Sequence, residues 1–128
     1  RIIPAFINCA LTGKQPSIFG SGKQSRDFIF VEDVVRAFVL AIESRKRFDG
    51  ESINIGKGKN HSVLELLSMV EKVAGKKMDP VKKERRIGDV EDNMADTRKA
   101  KKLLGWKSSC QIEDGIKKTF EWNKSVRH

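Results

Sequence analysis

The chain has 128 residues and a formal net charge of +9, with 26 lysines and arginines against 17 aspartates and glutamates. This length corresponds to one domain or part of one, and a hydrophobic content of 38% excludes a disordered chain. No apolar run reaches the roughly 20 residues of a membrane span, and the N-terminus lacks a signal-peptide layout, so we expect a cytoplasmic protein without membrane contact.

The first half of the chain predicts two helices and two strands. Proline in the first turn and Gly13 at the end delimit a short N-terminal helix, and Ser17–Phe19 predicts a strand before a glycine turn. From Arg26 onwards, the apolar residues 28, 30 and 31 predict a strand that is buried on both faces. A helix beginning near Asp33 follows. Its apolar stripe consists of Val34, Val35, Phe38, Val39 and Ile42.

The middle of the chain predicts a short strand over residues 52–55 and a well-capped helix. Ser62 and Glu65 have the spacing of a capping box, in which each side chain accepts a hydrogen bond from the other residue's backbone. Gly75 ends this helix. A polar segment over residues 76–92 follows, with an edge strand predicted at Pro80 and Val81 and a loop over residues 85–89.

Two more helices complete the prediction. Asp96 is expected to cap a short helix that ends at Gly105, with Trp106 packing back onto it. The last helix covers about residues 112–124. Its core-facing residues are predicted to be Ile112, Ile116, Phe120 and Trp122.

The fold class is therefore α/β, or α+β in isolation, with about five helices and about three or four short strands. A sheet this small usually needs neighbouring strands or a helical cover, and the strand over residues 28–31 predicts cover from outside this chain. The abrupt start at Arg1 suggests that residues 1–128 are a fragment of a longer chain. We expect such a fragment to expose apolar surface, and therefore to self-associate or to be marginally stable in isolation.

Several kinds of chemistry have no counterpart in the sequence. The chain contains no tyrosine, and its two histidines, His61 and His128, have no partner pattern. Glycine-rich dinucleotide, serine-hydrolase and metal-binding motifs are absent, so we predict no catalytic residue and no metal site. Cys9 and Cys110 have no metal-type spacing and are predicted to be reduced and buried.

The residue pattern around Arg26 predicts an anion site. The turn Gly20-Ser21-Gly22 precedes Arg26, which would place a cation beside backbone N–H groups, as phosphate binding requires. The alternative for Arg26 is a structural ion pair with Asp27 or Glu32. The overall basic charge also admits nucleic acid, but no aromatic platform or nucleic-acid motif supports that partner.

Three segments together resemble one family. They are GSGKQSRDFIFVEDVVRAFVLAIES, SINIGKGKNHSVLELL and RIGDVEDNMADTRKAKKLLGW, at residues 20–44, 52–67 and 86–106. They resemble the C-terminal part of the extended short-chain dehydrogenases, the NAD-dependent sugar-nucleotide epimerases and dehydratases. The resemblance implies an N-terminal Rossmann half with the NAD site and a Tyr-x-x-x-Lys catalytic pair, neither of which is in this sequence.

The resemblance also implies roles for four residues. Arg26 matches the arginine of an R-D-[FY] motif that contacts the substrate diphosphate. Arg86 and Asp89 match an R-x-G-D motif whose arginine contacts the same diphosphate and whose aspartate contacts the ribose. Phe19 is the candidate wall for the nucleobase. In this chain Ile87 replaces the proline that is usual in that motif, and a solvated Arg86 beside Arg85 is the alternative.

The function implied by the resemblance is substrate binding within a larger enzyme. The first choice is a UDP-glucose/galactose 4-epimerase, with NAD bound by the N-terminal half and this chain holding the nucleoside diphosphate of a UDP-sugar or another NDP-sugar. The alternatives are a dTDP-sugar 4,6-dehydratase, a UDP-glucuronate decarboxylase or a stand-alone nucleotide-sugar-binding module. The motif around Asp96 and Trp106 is assigned to packing.

Overall fold

The computed structural model describes residues 1–126, and the fold is α/β, as predicted. The helices in this part of the chain are α1 (Ile2–Thr12), α2 (Val31–Glu43), α3 (Val63–Ala74), α4 (Arg98–Leu104) and α5 (Ile112–Ser125). The strands in the same part are β1 (Ser17–Phe19), β2 (Ser25–Asp27), β3 (Asn60–Ser62), β4 (Val81–Lys83) and β5 (Asp92–Asn93).

The strands form two small sheets. In the first, β1 pairs in parallel with β4, so that Ser17 lies opposite Val81. In the second, β2 lies between β3 and β5. The β2–β3 pairing is antiparallel with Arg26 opposite His61, and the β2–β5 pairing is parallel with Arg26 opposite Asn93. The predicted edge strand at Val81 is confirmed, whereas β3 and β5 escape prediction because they are short and polar.

The main core lies between α1, α3 and α5. Their apolar faces meet at the fully buried Ile7, Leu66 and Ile116, and Ile18 of β1 joins them. The helix ends follow local sequence signals. Ser62 Oγ accepts the Glu65 N–H at 3.2 Å, and Glu65 accepts the Ser62 N–H at 2.7 Å, which confirms the capping box. Gly13, Gly75 and Gly105 end their helices in the left-handed conformation, as predicted.

A second, smaller core lies between α2 and α4, and a buried carboxylate of α2 holds the residues that follow α4. Ala37, Ala100 and Trp106 form its centre, and Trp106 Nε1 donates to the Asp33 carbonyl at 2.9 Å. The Asp33 carboxylate accepts the N–H groups of Ser109 and Cys110 at 3.0–3.1 Å. Burial alone would raise the pKa of Asp33, but hydrogen bonds from Arg36, Cys110 and Ser109 lower it far below its ordinary value.

The region before α2 departs from the prediction. The strand predicted from Arg26 is confirmed only at its start, and its continuation over residues 28–31 is wrong: β2 ends at Asp27, residues 28–30 are irregular, and Val31 is already helical. The helix therefore starts two residues before Asp33, with Phe30 at the N-cap position. Asp33 does not cap α2, because its carboxylate is used by the backbone of residues 109 and 110.

The apolar stripe of α2 faces outwards over most of its length. Phe38 is 67% exposed and Ile42 is 81% exposed, and Val31, Val35 and Val39 are exposed as well. The buried side of the helix carries Asp33 and Ala37 instead. The helix is thus held to the rest of the chain by polar contacts, by Ala37 and by Leu40, which packs against the second core, while Phe38 and Ile42 have no cover within residues 1–126.

Four smaller predictions are corrected. The segment 52–55 forms no strand in the described chain, although Ile53 and Ile55 pack against the second core. Trp122 is 63% exposed and takes no part in the core. Thr97 is the N-cap residue of α4, and Asp96 accepts the Arg98 N–H from one position further back. The two cysteines are free, as predicted, but only partly buried.

We predict that Asp33→Ala destabilises the fold strongly. The substitution leaves the Ser109 and Cys110 N–H groups without their acceptor and removes the partner of Arg36, which should cost about 1–3 kcal/mol in the free energy of unfolding for each donor left unpaired. Because the folded pKa of Asp33 is lowered, its contribution is complete above about pH 5 and is lost as the pH falls below the unfolded value near 4. Urea unfolding between pH 3 and pH 7 measures both effects.

Asp49→Ala is the matched control. Asp49 forms an ion pair with Arg47 in which both side chains are largely exposed, so its removal should leave the unfolding midpoint unchanged. Equal losses in the two variants, or a wild-type pH profile for Asp33→Ala, would contradict the role assigned to the buried carboxylate.

Candidate functional site

The four residues singled out by the sequence line one cleft. Phe19, Arg26, Arg86 and Asp89 surround a space of about 460 Å³ at the carboxyl end of β1. They come from three different parts of the chain: β1, β2 and the loop between β4 and β5. The cleft thus brings two guanidinium groups, one carboxylate and one aromatic ring together.

Arg26 is held at the wall of the cleft by its partners. Its Nη2 lies 3.0 Å from Asp89 Oδ1, and its Nη1 donates to the carbonyls of Ser25 at 2.7 Å and Glu91 at 3.3 Å. Its side chain remains 30% exposed. The guanidinium is therefore oriented but still accessible to an anion in the cleft.

The alternative ion pairs for Arg26 are not formed in the described structure. The Asp27 carboxylate accepts the N–H groups of Lys57, Gly58 and Ala95 at 2.8–3.2 Å. Glu32 pairs with Lys118 at 2.8 Å. Asp27 instead anchors the end of β2 to the segment before β3 through these hydrogen bonds. The carboxylate also explains Gly56, because a side chain at that position would collide with it.

Arg86 and Arg85 have different surroundings although they are neighbours. The Arg86 guanidinium lies over the Phe19 ring, with Cζ 3.9 Å from the ring centroid. Arg85 is paired with Glu91 at 2.8 Å and also donates to the Asp89 carbonyl, outside the cleft that holds Arg86. The structure thus separates the two arginines: Arg86 faces the cleft, and Arg85 bridges its own loop.

Both sheets position the loop that carries Arg86 and Asp89. At the first end, the Gly20 N–H donates to the Lys83 carbonyl at 2.9 Å, next to the β1–β4 pair. At the second end, the Ser25 N–H donates to the Glu91 carbonyl at 2.8 Å and Ser25 Oγ bonds to Asp92. The loop is fixed at both ends and so lies across Phe19.

The glycine turn does not supply the N–H array expected beside Arg26. The Gly20 N–H is already bonded to Lys83, and Gly20 and Ser21 line a separate cleft of about 330 Å³. Gly22 is buried, and a Cβ there would lie 2.9 Å from Leu64 Cγ. Its carbonyl accepts the Leu64 N–H at 3.1 Å, so close packing against α3 explains this glycine.

Two residues that the sequence analysis did not place in the site also line the cleft. Gln24 donates from Nε2 to the Phe19 carbonyl at 2.7 Å, which ties it to the aromatic wall. His61 lies directly opposite Arg26 in the β2–β3 pair. His61 could have been placed in the site only if a strand had been predicted at residues 60–62. Three polar residues before a helix do not indicate a strand.

The chemistry of the cleft is that of binding. Arginines, a carboxylate and an aromatic ring can hold an anionic ligand that also carries hydroxyl groups and a flat ring.

Among residues 1–126 no cluster of histidine, cysteine or acidic side chains is arranged to hold a metal ion. None of the helices described here is long and apolar enough to span a bilayer. The cytoplasmic location stays a prediction.

Comparison with known proteins identifies the family to which the chain belongs. The family model for GDP-mannose 4,6 dehydratase matches residues 1–119. The chain belongs to this family. The resemblance to the extended short-chain dehydrogenases that act on sugar nucleotides is thereby confirmed.

Individual relatives of this sugar-nucleotide epimerase and dehydratase family are similar over almost the whole chain. A UDP-glucuronate 4-epimerase of Thermodesulfobacterium geofontis is 38% identical over 93% of the chain. A solved UDP-glucose 4-epimerase of Thermotoga maritima with UDP-glucose is 36% identical over 100% of the chain, with a TM-score of 0.92. A UDP-glucuronic acid 4-epimerase of Bacillus cereus with UDP-glucuronic acid and NAD is 32% identical over 98%, with a TM-score of 0.93.

The chain spans only part of the length of these relatives. It covers 36% of the Thermodesulfobacterium epimerase and 40% of the two solved chains. The solved Thermotoga maritima chain is in complex with UDP-glucose, and the Bacillus cereus chain is in complex with UDP-glucuronic acid and NAD.

Proposed function

We propose that this chain is the nucleotide-sugar-binding portion of an NAD-dependent sugar-nucleotide epimerase, with UDP-glucose and UDP-galactose as substrates. The observation that carries the proposal is the convergence of Phe19, Arg26, Arg86 and Asp89 on one cleft. The names of similar proteins support a UDP-sugar, since they include epimerases of UDP-glucose and UDP-glucuronate at 32–38% identity.

The diphosphate is assigned to the two arginines. A sugar-linked diphosphate carries two negative charges, and Arg26 and Arg86 approach the cleft from different elements. Charge-assisted hydrogen bonds from both sides would clamp it, each contributing about 1.5–3 kcal/mol. Arg86 leaves the Phe19 ring to do so, and the ring then becomes available to the nucleobase.

The ribose is assigned to Asp89. Its Oδ1 is already bound to Arg26 at 3.0 Å, which holds the carboxylate in place and leaves further acceptor capacity for a hydroxyl group. The Arg26–Asp89 pair therefore links the diphosphate position to the ribose position. A ligand that carries both groups at the correct spacing is favoured over a free phosphate.

The residues of this chain do not fit an NAD site. The Gly20–Gly22 turn connects two strands and opens no helix, and the Gly20 N–H is bonded to Lys83. We assign NAD and the Tyr-x-x-x-Lys pair to an N-terminal half, for which the greater length of the relatives leaves room. Bound NAD supplies the hydride acceptor for C4 of the sugar, and this chain holds the nucleotide still while the sugar turns.

A decarboxylase is the second candidate. A UDP-glucuronic acid decarboxylase of Xenopus tropicalis is 30% identical over 100% of the chain, close to the identity of several epimerases. The cleft described here would hold the same UDP group in either enzyme. The reaction on the sugar is decided by residues outside this cleft, so the two candidates share the binding predictions below.

We predict that the chain binds UDP-glucose and that Arg26→Ala and Arg86→Ala each weaken binding at least about tenfold, because each loses a charge-assisted contact. Isothermal titration calorimetry at fixed ionic strength measures the dissociation constants. Arg85→Ala is the matched control, since its guanidinium is paired with Glu91 outside the cleft, and it should bind like the wild type.

The opposite ranking would contradict the assignment. If Arg85→Ala weakens binding as much as Arg86→Ala, general positive charge is responsible and not the cleft. Wild-type protein that fails to bind UDP-glucose would overturn the proposed function. Binding of a duplex DNA that falls steeply between 50 and 200 mM salt would favour a nucleic-acid partner instead.

We predict that residues 1–128 alone do not interconvert UDP-glucose and UDP-galactose, even with NAD added, because the chain contains no tyrosine for the proton transfer. A coupled assay for either product tests this. Turnover by the purified chain would contradict the assignment of catalysis to another part of the enzyme.

We also predict self-association through the outward face of α2. Its exposed Phe38 and Ile42 form an apolar surface whose contact with water is unfavourable. We propose that the N-terminal half covers this surface in the whole enzyme. Sedimentation should show concentration-dependent association that Phe38→Glu with Ile42→Lys reduces. UDP-glucose binding should be unchanged in this double variant, because α2 does not line the cleft. A clean monomer at all concentrations would contradict the prediction.

A further inference from the structure

His61 is a buried imidazole in the wall of the cleft for which the proposed function has no role. It is 8% exposed and lies in β3 directly opposite Arg26. Directly opposed residues of an antiparallel pair project to the same side of the sheet, with Cβ atoms about 4.5–5.5 Å apart. The imidazole therefore stands beside the arginine that is assigned to the diphosphate.

Charged and titratable groups from several elements surround the cleft that the imidazole lines. From α3, Glu65 Oε2 lies 3.8 Å from His61 Nδ1. Arg26 of β2 and the loop residues Arg86 and Asp89 line the same cleft. Arg1, at the start of the chain, and Cys9 of α1 also line it.

The two carboxylates of this group are already engaged. Glu65 accepts the Ser62 N–H in the capping box, and Asp89 is paired with Arg26. An anion placed between Arg26, Arg86 and Arg1 adds two negative charges beside the imidazole, and these charges favour the imidazolium over the neutral ring.

We propose that His61 takes up a proton when a sugar-linked nucleoside diphosphate binds, and that its imidazolium is the third cation of the diphosphate site. This inference rests on the proposed function. The pKa of His61 is then higher in the complex than in the free chain. Affinity is therefore greatest at acidic pH and declines as the pH rises.

The composition of the chain makes this proton easy to assign. Between pH 5.5 and pH 8 the groups that ordinarily titrate are histidines and the terminal amine, and the sequence holds only His61 and His128. A sugar-linked diphosphate carries one permanent charge on each phosphate and has no proton to exchange in this range. UDP-glucose is thus a better probe than UDP.

The test is calorimetric titration of the 128-residue chain with UDP-glucose between pH 5.5 and pH 8.5. Each titration is repeated in two buffers with different ionisation enthalpies, because the difference in heat counts the protons taken up. We expect uptake of up to one proton near neutral pH and a loss of affinity of about tenfold across the range, which corresponds to a pKa change of about one unit.

His61→Asn should abolish both the proton uptake and the pH dependence and bind at all pH values as the wild type does at pH 8.5. His128→Asn is the control and should behave as the wild type does throughout. Proton uptake that persists in His61→Asn, or wild-type binding that does not change with pH, would overturn the inference and leave the proposed function intact. Absence of binding at every pH would overturn the proposed function as well.

A second measurement covers the case in which His61→Asn does not fold. The pKa of His61 can be read from its imidazole NMR signals in the wild-type chain, with and without saturating UDP-glucose. A rise in the pKa on binding supports the inference. An unchanged or lowered pKa overturns it.

Discussion

The pairing of β2 on both of its edges is the constraint on which the cleft depends. This strand has only three residues, yet each of them makes a long-range contact. Ser25 bonds to Asp92, Arg26 pairs with Asp89, and the Asp27 carboxylate collects backbone N–H groups from residues 57, 58 and 95. Because the strand is too short to be stable alone, these side-chain contacts and the two strand ladders must form together.

The same pairing explains why Arg86 is found over Phe19. The parallel contact with β5 fixes the end of the loop, and the parallel contact of β1 with β4 fixes its start. A loop held at both ends has few conformations left, so the entropic cost of placing Arg86 and Asp89 in the cleft is reduced.

Helix α2 shows a different balance of forces. Its buried side is anchored by the Asp33 carboxylate and by Trp106, and its apolar stripe is left in water. Anchoring by a buried, hydrogen-bonded carboxylate and by Leu40 holds the helix in position without using the apolar residues of its outward face. Those residues therefore remain available as a surface for another element, which agrees with the partial coverage of every relative described above.

The sequence by itself determined the features that depend on neighbouring residues: the capping box at Ser62, the glycines that end three helices and the α/β class. Through family motifs it also singled out four of the residues that line the cleft. Only the tertiary structure decided which contacts those residues make. The pairing of His61 with Arg26, the direction of the α2 stripe and the division of roles between Arg85 and Arg86 depend on contacts between distant segments. The periodicity of apolar residues cannot reveal these contacts. Short polar strands show no alternating pattern, and an apolar stripe on a helix contains no information on which segment will pack against it.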